Sequence, residues 1–576
     1  VAISGADIEG AIKNLNAAEY KIFDEARKGA DSTWEAALGK LRVKGGSKEQ
    51  KRCFYTALYH CMTSPFLWSD VDGRYRGTDN EIHVADEGRE VYTVFSLWDT
   101  YRALHPLLTQ IEPERTVDFV YTAMKNFEQG GELPMWELAS HETHCMIGYH
   151  AVPMMLEAYI HLAEPDGTIA GYTPQQLLEA MVATSNRPPE QRAYAAQGYL
   201  SSEIDNESVS KTLEYAYDDW CIAQMAETAG DKDVAREYWI RSQSWQNIID
   251  SNGFAHPKRN GGWVTPFDPT EVNNHFTEAN SWQYSTYVPH DIDAWVEHIG
   301  GKEKAVAFLD SLFEGHNAMS GRDQADVTGL IGMYAHGNEP SHHAAWLYTI
   351  LDQPEKTEKY VHKILNELYT SQPDGLCGNE DCGQMSAWYV LASLGCYEVC
   401  PGSGVWVATK PLFSAETWRT TSAGMLRTWN AVLLSDSLRI TPCPVFGDWR
   451  MQSDRDKVSD SVAQWEGRLP SQMVSHKEVK TSTDKHVTYI TQPAPQYTEN
   501  GPEGMVDRIF GTTNYRIGGW QGWQGDMVAV VELDKEQKIT MVGLNCLENM
   551  RSWIFFPKVV KAESKIGRAV QQECRD

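Results

Sequence analysis

Positive charge is in short supply. The 576 residues hold 51 Lys and Arg against 79 Asp and Glu, a formal net charge of −28 at pH 7. A phosphate backbone would be repelled over most of such a surface, and no basic run offsets the repulsion, so nucleic acid is not an expected partner. Long apolar runs are also missing. None approaches the roughly 18 to 20 residues needed to cross a bilayer, and Val1-Ala2-Ile3-Ser4 has no basic region leading into an apolar stretch. The chain reads as soluble, or as a mature or trimmed form whose export signal has been removed, and an extracellular or periplasmic location is expected. The 11 cysteines include no CxxC pair. Cys377 with Cys382 and Cys396 with Cys400 are the close pairs, spaced too loosely for a zinc–sulfur site, and mostly free thiols are expected. No residue-level repeat of fixed period appears, which argues against an open array of recognisable repeats.

What is present is apolar and aromatic: 42% hydrophobic residues, with 20 Trp and 26 Tyr. Apolar spacing near 3.6 predicts helices over 18–40 and around Phe54, Leu58 and Met62. Further helical blocks are 96–110, 113–129, 143–163, 174–184, 191–201, 210–229, 233–249, 282–299, 302–313, 341–352, 356–369 and 383–394. So many helices joined by long polar loops predict stacked hairpins closed into a mainly α, double-layered (α/α)6 toroid with a concave site at one end. After about Leu394 the pattern changes to short strands: 405–408, 425–429, 437–440, then 489–490, 528–531 and 539–542. The expected division is 1–17 as a leading segment, 18–400 as the toroid, 401–487 as a small β region with linker, and 488–576 as a β-sandwich.

Four polar clusters lie in or beside predicted loops flanking helices. They are Glu278-Ala279-Asn280-Ser281-Trp282-Gln283-Tyr284 with Pro289-His290-Asp291; Ser320-Gly321-Arg322-Asp323-Gln324-Ala325-Asp326; the stretch from His336-Gly337-Asn338-Glu339-Pro340-Ser341-His342-His343 to Trp346; and the stretch from Asp374 through Gly378-Asn379-Glu380-Asp381-Cys382-Gly383-Gln384 to Trp388. Cleaving an acetal between sugars needs one protonated and one ionised carboxyl, and Glu278, Glu339, Glu380 and Asp381 supply that inventory. Desolvation beside Trp282 and Tyr284 would suit Glu278 to the acid role. The adjacent carboxylates Glu380 and Asp381 invite a hard, oxygen-binding cation such as Ca²⁺.

Together with Ser96-Leu97-Trp98-Asp99-Thr100-Tyr101-Arg102, Trp136-Glu137-Leu138 and Gly148-Tyr149-His150-Ala151-Val152-Pro153, these motifs closely resemble glycoside hydrolase family 92, the calcium-dependent exo-acting α-mannosidases. The resemblance runs in order from residue 1 to about 412. It implies an inverting mechanism on mannose-rich glycans, with Glu278 as general acid and Asp381 as general base. It places Asn338, Glu339 and Asp381 at a Ca²⁺, and Trp98, Asp99, His336, Glu339 and Glu380 around the sugar. His141-Glu142 resembles a pair that meets the leaving sugar in members preferring α-1,2 linkages. The family's N-terminal β-sandwich is largely absent from this chain, Val1 to Ser4 being read as a remnant of its last strand. Asn379 stands where some members carry a second carboxylate. Residues 488–576 resemble an incomplete discoidin or coagulation-factor type carbohydrate-binding module, with a ligand-free structural sandwich as the other reading. A mannose-binding protein on the same fold without turnover is the alternative function, and a glucosidase or trehalase on a similar toroid is a third.

Overall fold

Helix Gln384–Ser393 is buried at every residue, whereas Pro354–Glu367 buries Thr357, Tyr360, Val361, Ile364 and Leu365. The second pattern, at i, i+3, i+4, i+7 and i+8, is one stripe of a helix with water on its other side. The first belongs to a helix enclosed by neighbours. The same contrast separates enclosed, inner helices such as Leu104–Ile111 and Ser208–Ala229 from half-buried, outer ones such as Pro174–Thr184 in the computed structural model. It describes residues 1–17 and 22–418, with side chains as far as 414, and the backbone of strands His486–Tyr489, Ala529–Glu532, Val560–Ala562 and Gln572–Cys574.

Inner and outer helices alternate along the chain. Leu104–Ile111 is followed by Pro113–Gly130, Ala151–Leu162 by Pro174–Thr184, and Ser208–Ala229 by Lys232–Arg241. Ile292–His298 pairs with Lys302–Glu314, and Leu347–Ile350 with Pro354–Glu367. The last inner helix, Gln384–Ser393, packs against both Leu104–Ile111 and the early helix Lys48–His60, which closes the ring. The fold is the mainly helical toroid expected. Its core holds six fully buried tryptophans: Trp98, Trp220, Trp245, Trp295, Trp346 and Trp388.

Several helices differ from their sequence-based bounds for identifiable reasons. The helix expected over 282–299 is two, Ser281–Tyr284 and Ile292–His298, because Pro289 removes a donor and turns Val288 away from helical geometry. The helix expected over 96–110 is also two, Leu97–Thr100 and Leu104–Ile111. Here Gln384 Oε1 accepts from the backbone N–H of Ala103 and Leu104 at 2.9 and 3.2 Å, taking donors a continuous helix would have used. The block at 143–163 is helical only over Ala151–Leu162, after left-handed backbone at His144, Met146 and Gly148. Val1 to Ser4 forms no strand; Ser4 Oγ donates to Asp70 Oδ2 at 2.6 Å instead.

After the toroid, Cys396–Tyr397 pairs antiparallel with Val407–Ala408, and Ala415–Trp418 pairs with Leu41–Lys44. The strands expected at 425–429, 437–440 and 539–542 lie outside the described residues. Within 488–576 the described backbone supplies part of two antiparallel pairs, His486–Tyr489 with Ala529–Glu532 and Val560–Ala562 with Gln572–Cys574. No disulfide joins the eight cysteines whose side chains are described. None of the described helices is long and apolar enough to cross a membrane.

Candidate active site

Four loops that enter inner helices meet at one place. Strand Phe95–Ser96 delivers the buried turn Leu97–Thr100, where Ser96 Oγ donates to Asp99 Oδ2. Glu278 precedes Asn280, whose side chain caps Ser281–Tyr284 by accepting from Trp282 N at 3.0 Å. Asn338 leads into the turn Glu339–Ser341, and Asp381 opens the turn before Gln384–Ser393. Gln384 ties three of these loops together, since it accepts from Ala103 and Leu104 while its amide nitrogen lies 3.1 Å from His342 Nδ1. The loops at 337 and 378 touch backbone to backbone: a Cβ on Gly378 would collide with the carbonyl of Gly337. Only glycine permits that approach.

Asp99, Glu339 and Asp381 each bring a carboxylate oxygen to within 4.8 Å of the others. Glu339 is fully buried and neither of its oxygens accepts a hydrogen bond. Burial, with Asp99 and Asp381 nearby, pushes its carboxyl well above the usual range. Asp99 is driven up likewise, by burial and then by Asp381. Three crowded carboxylates with two orphaned oxygens fit a hard divalent cation, which takes oxygen donors and would hold all three ionised. The donor set contains no sulfur or imidazole, so a softer metal is less well matched.

Glu278 borders this cluster. Burial pushes its carboxyl up to about 7, assisted by the charges of Asp326 and Asp381 and opposed by a hydrogen bond from Asn338. Asp381 is pushed up to about 6 by burial, then by Asp326 and Glu380. Both residues sit in left-handed backbone, with φ of +48° and +49°, and Cys382 follows at +57°. Non-glycine residues occupy that region at a cost and concentrate where surrounding structure forces them. The arrangement offers one carboxyl protonated near neutrality, one ionised, and a cluster suited to a cation.

Residues 10–430 match the family model described as "Glycosyl hydrolase family 92 catalytic domain". The chain belongs to this family. Among solved structures it is similar to the family GH92 alpha-mannosidase BT3965 from Bacteroides thetaiotaomicron, at 37% identity and a TM-score of 0.68 over 73% of this chain and 55% of that one. It is also similar to the GH92 inverting mannosidase BT2199 from Bacteroides thetaiotaomicron VPI-5482, at 32% identity and a TM-score of 0.65 over 73% of this chain and 59% of that one. A curated relative is an uncharacterized secreted glycosidase of Arthroderma benhamiae, 24% identical over 439 residues, or 68% of this chain and 49% of that one. The chain thus spans about half the length of these relatives.

The family 92 toroid sorts the residues expected at the site. Glu278, Glu339 and Asp381 converge, and Asp99, expected beside the sugar, joins the last two in the carboxylate cluster. Asn338, expected at the cation, has its amide nitrogen on the carbonyl of Glu278 at 2.8 Å. Trp98 is buried, and its indole N–H donates to Glu214 Oε1 at 3.1 Å. His336 is fully buried, with Nδ1 2.7 Å from the Tyr334 hydroxyl and Nε2 2.6 Å from that of Tyr369, which leaves neither ring nitrogen for a sugar. Glu380 accepts from Ser386 Oγ at 2.7 Å and lies 2.7 Å from His60, anchoring the start of the last inner helix. His141 is exposed on a strand edge, while the carboxylate of Glu142 accepts from the backbone N–H of Met135, Trp136 and His144.

Two sets of residues lay beyond sequence reasoning. Asp326 raises both Glu278 and Asp381, and is held by Asn379 Nδ2 at 3.0 Å and Gln324 Nε2 at 2.6 Å. It was visible only as one polar residue in a cluster. The second set is a buried ionic network beneath the site. Glu214 accepts from Trp98, Arg102 and Tyr284 and lies 2.7 Å from His150, which in turn lies 2.8 Å from Asp218. Arg102 and Glu339 also line a small cavity between the site and the hairpin at 396–408, with Tyr101, Tyr287, Tyr397 and Pro401.

Proposed function

We propose that the chain carries the catalytic toroid of an exo-acting, inverting α-mannosidase that releases terminal mannose from mannose-rich glycans. The observation that carries this reading is the convergence of Glu278 on the Asp99, Glu339 and Asp381 carboxylates at one site, where burial pushes Glu278 up to about 7 and so suits it to keep a proton beside Asp381. The likeness to structures named as α-mannosidases, one of them inverting, supports the substrate class and stereochemistry.

Glu278 donates its proton to the glycosidic oxygen as the bond to C1 breaks. Asp381 accepts a proton from a water that attacks C1 on the opposite face, so mannose leaves with inverted configuration and one water is consumed. Asp99, Glu339 and Asp381 would hold a Ca²⁺, which supplies fixed positive charge for the sugar hydroxyls and favours a flattened ring. Asn338 fixes the peptide of Glu278, and Ser96 holds the Asp99 carboxylate by donating its hydroxyl to it. An α-1,2 preference rests on the likeness of His141-Glu142 to a leaving-sugar pair, and secretion on the curated relative.

The deciding experiment follows the anomer of mannose by NMR in the first minutes of reaction on an α-mannoside. β-Mannose appearing first supports the proposal. α-Mannose first would overturn inversion, and tight mannose binding with no hydrolysis would favour a glycan-binding protein instead.

A further inference from the structure

About two turns along the helix that begins after His150, a second cluster forms that the mechanism does not use. Glu157 is fully buried; its Oε2 accepts from Gly402 N at 2.8 Å, and its Oε1 accepts no hydrogen bond. Glu398 is 1% exposed; its Oε1 accepts from Gly404 N at 2.9 Å, and its Oε2 accepts none. His161 follows Glu157 by one helical turn, with Nε2 3.2 Å from Glu157 Oε1. One ligand atom from each of the three lies within 4.8 Å of the others. No Lys or Arg forms an ion pair with either carboxylate among the described residues.

Two buried carboxylates facing each other repel strongly if both are ionised, so something must sit between them. Either a proton is shared, or a cation is held. The third donor favours the cation: a protonated His161, 3.2 Å from Glu157 Oε1, would balance Glu157 alone, whereas a metal ion can take one ligand atom from all three side chains at once. An imidazole beside two carboxylates, on a Glu-x-x-x-His helical turn, is the donor set of zinc and similar first-row ions rather than of Ca²⁺ or Mg²⁺. His161 lies at the solvent edge, which gives the ion an entry path and leaves room for a water as fourth ligand.

We propose that Glu157, His161 and Glu398 form a divalent transition-metal site, for which Zn²⁺ is the natural probe. Its role is structural. Glu157 and Glu398 already hold the backbone of Gly402 and Gly404, and Pro401 between them accepts from the Tyr217 hydroxyl at 2.7 Å. The ion would pin this loop to an inner helix and so fix the floor of the toroid.

The test uses the full chain, stripped with chelator and then saturated with Ca²⁺ so that the carboxylate cluster around Glu339 is filled. Zn²⁺ is added, and bound metal, calorimetric uptake and Tm are measured for the wild type, Glu398→Gln and His161→Ala. The wild type should hold one equivalent of zinc more than either variant and gain several degrees in Tm that they do not. Glu398→Gln replaces one partner of the pair by a neutral amide of the same shape, so it should stay folded without metal. Equal zinc uptake in all three proteins would overturn the proposal, as would a folded wild type that binds none. If the variants fail to fold, X-ray absorption of the zinc-loaded wild type decides. One imidazole with oxygen donors supports the site, and sulfur donors refute it.

Discussion

Asn338 Nδ2 donates to the backbone carbonyl of Glu278 at 2.8 Å, so the residue beside the buried Glu339 fixes the peptide of the proposed acid. Glu278 is in left-handed backbone, a state that costs a non-glycine residue of order 1 to 3 kcal/mol and needs outside support. Removing that support should let Glu278 drift from the glycosidic oxygen. Asn338→Ala should therefore lower kcat by roughly fivefold, as expected for about 1 kcal/mol of lost hydrogen bonding, with a smaller change in KM. Steady-state kinetics on an α-mannoside checks this. A raised KM at unchanged kcat would instead make Asn338 a binding residue.

The pH profile tests the roles of the two carboxyls. Glu278 must be protonated and Asp381 ionised, so activity should fall as pH rises through about 7, while the acid limb should lie below about 6, because a cation sharing the Asp381 carboxylate holds it ionised to lower pH. The negative charge of Asp326 raises both groups, and Asp326→Asn removes it. Both limbs of log kcat/KM against pH should then move to lower pH, while the maximum changes little. A shift of one limb alone would show that Asp326 acts on a single partner.

The outer layer of the fold could be read from the sequence because half-buried helices advertise themselves. The spacing of Thr357, Tyr360, Val361, Ile364 and Leu365 is visible in any window that includes them. Inner helices such as Gln384–Ser393 are apolar on all sides and show no period, so their ends had to be taken from flanking glycines. The break after Thr100 was illegible for another reason: the group that causes it, Gln384, is far away in sequence. At the site, motif order pointed to Glu278, Glu339 and Asp381, which the fold brings together. Asp326, Arg102 and His150 stood in quoted clusters and motifs but without any indication of their roles, and Glu214 gave no local signal, since an isolated charge inside a helix reads as solvated until the fold brings its partners together.

That buried network should govern stability. Burial alone would lower the pKa of His150, but Asp218 and Glu214 on its two ring nitrogens outweigh it and hold the imidazole at about 9. A folded pKa above the unfolded value of about 6.5 stabilises the protein fully below that value and progressively less as pH rises through about 9. His150→Gln would leave two buried carboxylates short of a cation and should cost about 3 to 5 kcal/mol at pH 6. Urea unfolding at pH 6 and pH 9.5 checks both points. The gap between wild type and variant should be wide at the lower pH and much narrower at the higher one.

Cation removal separates the structural from the chemical role of Glu339. Without an ion, Asp99, Glu339 and Asp381 must either crowd like charges into a buried space or take up protons, and both cost stability, so chelation should abolish mannose release and lower Tm. Restored Ca²⁺ at one hundred times its Kd should return about 2.7 kcal/mol of stability by mass action. Glu339→Gln relieves the repulsion by removing one charge. In chelator it should be at least as stable as the wild type, yet it should gain little from Ca²⁺ and stay inactive with it. Calorimetric Tm with and without Ca²⁺, measured beside mannose release, tests this. Full wild-type activity in chelator would remove the cation from the reaction, and a Glu339→Gln protein that responds to Ca²⁺ like the wild type would place the ion elsewhere.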